Sequence, residues 1–155
     1  MQPAWPQWTS SASFLWRSLA CFFLSEQLSL KNWIGVAIIA AGITLHEALK
    51  AHSELAAQGL AARVIDLYCV KPVDAEGLAS QLRAAGGRVV TVEDHFAEGG
   101  LGEAVFAALA TQGVSLTAAR RLAVSGVPHS GTPEELLDAF GISARHIAAA
   151  ARALL

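Results

Sequence analysis

The segment Arg88–Val105, RVVTVEDHFAEGGLGEAV, constrains the fold of this chain more than any other stretch. Three valines surround a polar Thr91, a pattern typical of a strand that is covered on both faces. The glycines at 99, 100 and 102 permit a tight turn and a close approach between helix and strand. The segment therefore predicts a buried strand over 88–93, an acidic turn, and a helix over 101–111.

The chain after residue 35 repeats this alternation of strand and helix. Apolar runs predict further strands over Val36–Ala41, Arg63–Tyr68 and Arg121–Ser125. Helical periodicity predicts helices over Leu45–Ala57, Ala75–Ala85, 133–140 and 144–154. Strands that alternate with helices form a mainly parallel sheet covered on both faces. We therefore expect an α/β fold with three α/β/α layers.

Three helix starts carry capping residues. Thr132 precedes Pro133 and has Glu135 three residues on, which predicts a capping box. Thr44 with Glu47 has the same spacing and predicts a second box. Ser143 is expected to cap the last helix.

Residues 1–35 have a different composition and are predicted to be a hydrophobic, Trp-rich extension of a domain at 36–155. All four tryptophans lie in the first 33 residues, and residues 1–45 contain three charged side chains, at positions 17, 26 and 31. The apolar runs 14–24 and 33–45 are each shorter than the roughly 20 residues that a membrane-spanning helix needs. Two readings stay open: an extension that packs on protein, and contact of residues 14–45 with a membrane.

The stretch 25–43, SEQLSLKNWIGVAIIAAGI, resembles the loop and last helix of a small drug/metabolite-type membrane transporter. This resemblance favours the membrane reading and leads to an alternative hypothesis for the chain, a membrane-tethered interaction module.

The overall composition narrows the class of function. A formal net charge of −2 provides no basic footprint for nucleic acid. Two cysteines, Cys21 and Cys69, make no disulfide framework, so a reduced cytoplasmic location is expected.

The acidic turn holds the first candidate for chemistry. Glu93, Asp94, His95 and Glu98 place carboxylates beside an imidazole, a combination that can transfer protons or bind a metal ion. An independent small enzyme using the first three is one hypothesis. Acidic residues near a helix start also stabilise the helix dipole and close a turn. We favour this structural interpretation.

The remaining candidates are weaker. Gly99, Gly100 and Gly102 could cradle a phosphate at a helix start. Their spacing is not GxGxxG and nearby carboxylates repel an anion, so a structural turn is predicted. His129 and Ser130 follow the fourth strand, but no Gly-x-Ser-x-Gly elbow is present. We therefore predict no catalytic, cofactor-binding or metal-binding residue in this chain.

Four segments together resemble the carboxy-terminal domain of transketolase, in family order and at family spacing over about 115 residues. They are GITLHEALKA at 42–51, ARVIDLYCVKPVD at 62–74, VTVEDHFAEGGLGEAV at 90–105 and VPHSGTPEELL at 127–137. The resemblance implies a transketolase C-terminal-domain-like fold. It also implies a role in transferring two-carbon ketol units between sugar phosphates, with thiamine diphosphate and Mg²⁺ in the complete enzyme.

The resemblance also indicates which cofactor-binding motifs of the family are absent from this sequence. The family's Gly-Asp-Gly and Asn-Asn signature belongs to other domains, and the only asparagine here is Asn32. We therefore expect a structural, dimer-supporting module that binds no cofactor by itself and is inactive alone. Its partner is expected to be a second copy or a thiamine-binding transketolase subunit. The residues assigned to an interface or regulatory site are Glu93, Asp94, His95, Glu98, Gly99, Gly100, Gly102 and His129.

Overall fold

The structure, a computed structural model, describes residues 35–155, so the predictions for residues 1–34 lie outside the described residues. Strands and helices alternate until two helices close the chain. In order they are β1 (Val36–Ala40), α1 (Ile43–Ala57), β2 (Ala62–Asp66), α2 (Ala75–Ala84), β3 (Arg88–Phe96), α3 (Leu101–Thr111), β4 (Ala118–Val124), α4 (Pro133–Ala139) and α5 (Ala144–Arg152).

The four strands form one sheet in the order β2-β1-β3-β4, and every neighbouring pair is parallel. The predicted α/β class with a parallel sheet is thereby confirmed. Because the strands are parallel, all four carboxyl ends meet at one edge, which we call the carboxyl edge. Open α/β sheets place their binding sites at that edge.

Helices cover both faces of the sheet and bury two apolar cores. The five residues of β1 are buried and point alternately to the two faces. Val36 and Ile38 pack with α1, α4 and α5, whereas Ala37 and Ile39 pack with α2 and α3. This is the three-layer arrangement, and it explains why β1 reads as a continuous apolar run.

Strand β3 is longer than predicted, and this changes the setting of the acidic residues. The prediction ended the strand at residue 93, whereas β3 continues to Phe96. Val92 pairs with Leu122 and Phe96 with Val124, so three residues of β3 lie opposite one residue of β4. Such a bulge re-aims the side chains within it. The supposed acidic turn is therefore the irregular end of a strand.

The two capping boxes have different outcomes. The box at Thr132 is confirmed, because its hydroxyl accepts from the Glu135 N–H at 3.3 Å and Glu135 Oε2 accepts from the Thr132 N–H at 2.9 Å. The box at Thr44 is wrong. Helix α1 begins at Ile43, after Gly42, and the Thr44 side chain is buried with its hydroxyl 3.1 Å from the Val92 carbonyl oxygen.

Glu47 has a long-range role that the local pattern concealed. Its Oε2 accepts a 2.8 Å hydrogen bond from the N–H of Ala144, the first residue of α5, and its Oε1 accepts from Lys50 Nζ at 2.6 Å. Burial of Glu47 opposes ionisation, but these donors outweigh it and hold the pKa of its carboxyl below the usual value. Glu47 thus caps a helix that lies 97 residues further along the chain.

Ser143 does precede α5, as predicted, but its side chain makes no capping hydrogen bond. The hydroxyl donates to Asp138 Oδ1 at 3.0 Å instead. Glu47 accepts the first N–H of α5 in place of the serine hydroxyl. Ser143 therefore need not cap the helix with its side chain.

Candidate functional site

The bulged end of β3 separates the predicted site residues into a buried and an exposed group. Glu93 is 3% exposed, whereas Asp94, His95 and Glu98 are all exposed. The prediction that these four side chains cluster is therefore wrong for Glu93, which points into the protein. Glu93 continues the alternation of Val89 and Thr91 along β3 and so lies on the sheet face that α3 covers, whereas the residues that follow it face outwards.

Glu93 binds the start of helix α3. Its Oε1 accepts a buried 3.1 Å hydrogen bond from the Gly102 N–H and lies 3.9 Å from an Arg121 guanidinium nitrogen. A carboxylate at a helix N-terminus satisfies a free N–H and favours the helix dipole. The structural interpretation of the acidic residues thus holds for Glu93, although through burial rather than through a turn.

The glycines are needed because α3 approaches β3 so closely. A Cβ on Gly100 would lie 1.8 Å from Glu93 Oε2, and one on Gly102 would lie 2.7 Å from Arg121 Nε. Gly99 has a φ of +71°, which a residue with a side chain rarely adopts. The predicted structural turn is confirmed, and its glycines also make room for the buried carboxylate.

Arg121 is a member of this cluster that the sequence reasoning missed. Its guanidinium donates to the Ala97 carbonyl and lies 5.9 Å from the centre of the Phe106 ring, a distance typical of a cation–π contact. Arg121 pairs with Thr91 in the parallel register. This register is a property of the folded sheet, so no signal in the sequence alone marked Arg121 as a neighbour of Glu93.

Two buried oxygens in this cluster stand out. Within residues 35–155, Thr91 Oγ1 and Glu93 Oε2 are the buried side-chain oxygens that have no hydrogen-bond partner. Both lie beneath the glycine turn, since a Cβ on Gly102 would contact Thr91 Oγ1 at 3.1 Å. The cluster is polar, and Gly100 and Gly102 pack directly against it.

The exposed candidates lie apart from this cluster. His95 Nδ1 is 2.8 Å from its neighbour's carbonyl oxygen, Phe96 O, and Glu98 and His129 are exposed on loops. Ser130, beside His129, is exposed as well. Within the described part of the chain, no group of three His, Cys, Asp or Glu side chains is arranged to hold a metal ion.

A second polar cluster joins α4 to α5 and was not predicted. Asp138 accepts two 2.5 Å hydrogen bonds from Arg145, and Ser143 Oγ lies 2.9 Å from His146 Nδ1. The Arg145 guanidinium, with the Ser143 hydroxyl, lowers the pKa of Asp138 to about 2. Asp138 lies 3.7 Å from the same His146 Nδ1 that faces the serine. Serine and aspartate share one ring nitrogen, so the three residues form no nucleophilic relay.

The four-stranded parallel sheet covered by helices on both faces defines an α/β domain. The family model for the transketolase C-terminal domain matches residues 34–147. The chain belongs to this family.

Relatives and a solved structure agree with the family assignment. The chain is 55% identical over 117 residues to transketolase-like protein 2 of Mus musculus, covering 76% of this chain and 18% of that protein. It is 48% identical over 121 residues to transketolase of Mus musculus, covering 77% of this chain and 19% of that protein. A solved structure of a split gene transketolase, an inactive beta4 tetramer, matches with a TM-score of 0.72 and 38% identity, covering 83% of this chain and 41% of that one. The chain thus spans about a fifth of the length of the two mouse relatives.

The transporter resemblance of residues 25–43 is not supported. Val36–Ala40 is a central strand of the sheet rather than part of a helix, and the family match begins at residue 34. Residues 25–34 lie outside the described residues. Across residues 35–155, no helix combines the length and apolar character needed to cross a membrane.

Proposed function

We propose that this chain serves as the carboxy-terminal domain of a transketolase-type enzyme, which transfers two-carbon ketol units between sugar phosphates. The observation that carries the proposal is the family match over residues 34–147 on a sheet with the described parallel order. The domain's role is structural: it supports the assembly in which catalysis takes place. We propose that it works in the cytoplasm.

The cofactors of such an enzyme do not fit the residues of this domain. Mg²⁺ takes an octahedral set of oxygen ligands, and the exposed carboxylates of Asp94 and Glu98 belong to no metal-binding group among residues 35–155. A diphosphate at the start of α3 would meet Glu93, which already accepts the Gly102 N–H. We therefore assign thiamine diphosphate and Mg²⁺ to other domains of the enzyme.

The partner follows from the same reasoning. The domain needs a thiamine-binding portion of a transketolase, whether from the same polypeptide or from a separate subunit, and a second copy of itself in the dimer. The matched structure is that of a split-gene transketolase in the form of an inactive tetramer of beta chains. That arrangement supports a chain that assembles without catalysing.

The test is a ketol-transfer assay on the purified 155-residue chain with a ketose phosphate donor, an aldose phosphate acceptor, thiamine diphosphate and Mg²⁺. We expect no turnover, and no heat of thiamine diphosphate binding by calorimetry, whereas mouse transketolase in parallel shows both. Turnover by this chain that depends on thiamine diphosphate would refute the proposal. Any turnover without the cofactor is checked with Asp94→Ala plus His95→Ala, since both side chains are exposed and their removal leaves the cores intact.

A further inference from the structure

Two arginine side chains in the described part of the chain have no partner, although arginines here otherwise do. Within residues 35–155, the guanidinium groups of Arg88 and Arg120 make no hydrogen bond and no ion pair. The other arginines of this range each donate to a carboxylate, an amide oxygen or a carbonyl oxygen; they are Arg63, Arg83, Arg121, Arg145 and Arg152. A guanidinium is always charged and presents five N–H donors, so two unpaired ones are free to bind an anion.

The strand register puts these two arginines side by side on one face of the sheet. Arg120 of β4 pairs with Val90 of β3, and Arg88 lies two residues before Val90. Paired residues of neighbouring strands share a face, and so do alternate residues along a strand. Val90 packs in the core beneath α1 and α5, which identifies the face.

The same register gives the separation of the two arginines. One strand spacing of about 4.8 Å and two residues of rise, about 6.6 Å, put their Cα atoms about 8 Å apart. Long side chains at this diagonal position are within reach of each other. Both guanidinium groups can therefore contact one small ligand between them.

The edge of the sheet at which the strands begin, which we call the amino edge, attracts an anion. Arg88 is the first residue of β3 and Arg120 is the third of β4, so both lie near this edge. The loops that lead into β2, β3 and β4 contain no Asp or Glu; they are residues 58–61, 85–87 and 112–117. The carboxyl edge, in contrast, carries exposed carboxylates at Asp66, Asp94 and Glu98. The charge distribution thus favours anion binding at the amino edge.

The chemistry of the pair favours a phosphate group. Phosphate oxygens accept two parallel hydrogen bonds from one guanidinium, and the near-double negative charge of a phosphate monoester matches two arginines. Arg88 is half-buried, which reduces the screening of its charge by solvent. Leu122 and Val124 continue the face of Arg120 and are partly buried against the core, so they add no competing carboxylate. A net charge of −2 disfavours a polyanion such as nucleic acid.

We propose that Arg88 and Arg120 form a binding site for a phosphate-bearing ligand at the amino edge, on the face of the sheet that α5 covers. The site lies at the opposite end of the strands from Asp94, His95 and Glu98. It goes beyond the proposed function, because a structural role in a transketolase needs no ligand here.

The test is a titration of the full ¹⁵N-labelled chain with inorganic phosphate, monitored by NMR at constant ionic strength with chloride as the balancing anion. We expect the side-chain N–H signals of Arg88 and Arg120 to shift together, with a dissociation constant of about 1 mM. Arg88→Gln and Arg120→Gln should each weaken binding about 10-fold, the effect of losing one charge-assisted contact. Arg120→Lys keeps the charge but not the fork of donors and should weaken it about 3-fold.

The matched control is Arg152→Gln, which removes the same charge near the same edge. Arg152 bonds Glu54 and also Gln58, which lies in the loop before β2. We expect this control to bind phosphate within about 2-fold of the wild type, with circular dichroism confirming that every variant is folded. An equal loss of binding in the control would show that net charge determines the binding, and the proposed site would be refuted.

A vesicle arm identifies the source of the phosphate. Co-sedimentation with phosphatidate vesicles, compared with phosphatidylcholine vesicles, is measured for the wild type and for Arg88→Gln plus Arg120→Gln. Arginine-dependent binding to phosphatidate alone would assign the site to a lipid head group, and binding of free phosphate would assign it to a soluble ester. If neither form of phosphate binds in a way that depends on the two arginines, the proposal is overturned.

Discussion

Replacement of Glu47 tests whether a helix cap supplied from a distant helix stabilises this domain. Glu47 is 8% exposed and joins α1 to the first N–H of α5. A hydrogen bond to a charged group contributes about 1.5–3 kcal/mol, and loss of an N-terminal cap costs about 0.5–2 kcal/mol. We therefore expect Glu47→Ala to lower the free energy of unfolding by about 2–3 kcal/mol. Glu47→Gln keeps an acceptor and should cost about 1 kcal/mol.

The matched control is Lys50→Ala, which removes the other partner of Glu47. The Lys50 side chain is 67% exposed, so solvent screens this ion pair and its contribution to stability is small. Urea unfolding monitored by circular dichroism gives the free energy from the midpoint and slope. If Lys50→Ala proved as costly as Glu47→Ala, the charge pair and not the cap would be the stabilising contact, and our reasoning would be refuted.

Acid titration provides a second test of the contact between Glu47 and the start of α5. The pKa of Glu47 is lower in the folded protein than its ordinary value of 4.5. A depressed pKa contributes stability that is present above the unfolded value and is lost as the pH falls through the folded value. The difference in unfolding free energy between the wild type and Glu47→Gln should therefore shrink as the pH falls from about 7 through the lowered pKa of Glu47. A difference that stays constant with pH would show that the charge is not involved.

Two further predictions concern the glycine turn and the α4–α5 cluster. Gly100→Ala puts a methyl group 1.8 Å from Glu93 Oε2 and should cost about 2–3 kcal/mol in urea unfolding. Gly131→Ala, whose Cβ would make only 3.4 Å contacts, should stay within about 0.5 kcal/mol of wild type, and equal costs would refute the packing argument. The hydrogen bonds from Arg145 are the main cause that lowers the pKa of Asp138 to about 2. The stability that this carboxylate contributes should therefore be present above its ordinary pKa of 3.8 and be lost as the pH falls towards 2. An NMR titration of the Asp138 carboxyl carbon that gives an ordinary pKa would contradict this.

Local sequence signals predicted the elements that local interactions determine. Helix α3 has the predicted bounds 101–111, because Gly100 precedes it and an apolar stripe runs along one face. The box at Thr132 is confirmed because both of its hydrogen bonds lie within four residues of chain. β1 ends one residue before its predicted end at Ala41. In each case the residues that fix the element are neighbours in the sequence.

The predictions are wrong where contacts with a distant segment of the chain determine the local structure. Strand β4 begins at Ala118, three residues before its predicted start, because pairing with β3 draws Ala118 and Ala119 into the sheet despite their weak strand preference. Glu47 matches the spacing of a local box, yet it caps α5, since the packing of α1 on α5 brings the two together. Periodicity along one segment contains no information about such contacts.

The segment 88–105 shows how one stretch can carry two roles that the sequence presents as one. Alternation along β3 puts Glu93 on the covered face, where it shapes the approach of α3, and the bulged residues after it leave Asp94 and Phe96 exposed at the carboxyl edge. A change at Glu93 alters the packing of α3 and the surface beyond it together, so it cannot report on the surface alone. Substitutions at Asp94 or Phe96 change the exposed face while the hydrogen bond to Gly102 stays in place. The interface role proposed for this segment is therefore to be tested through its outward residues, with Glu93 kept intact.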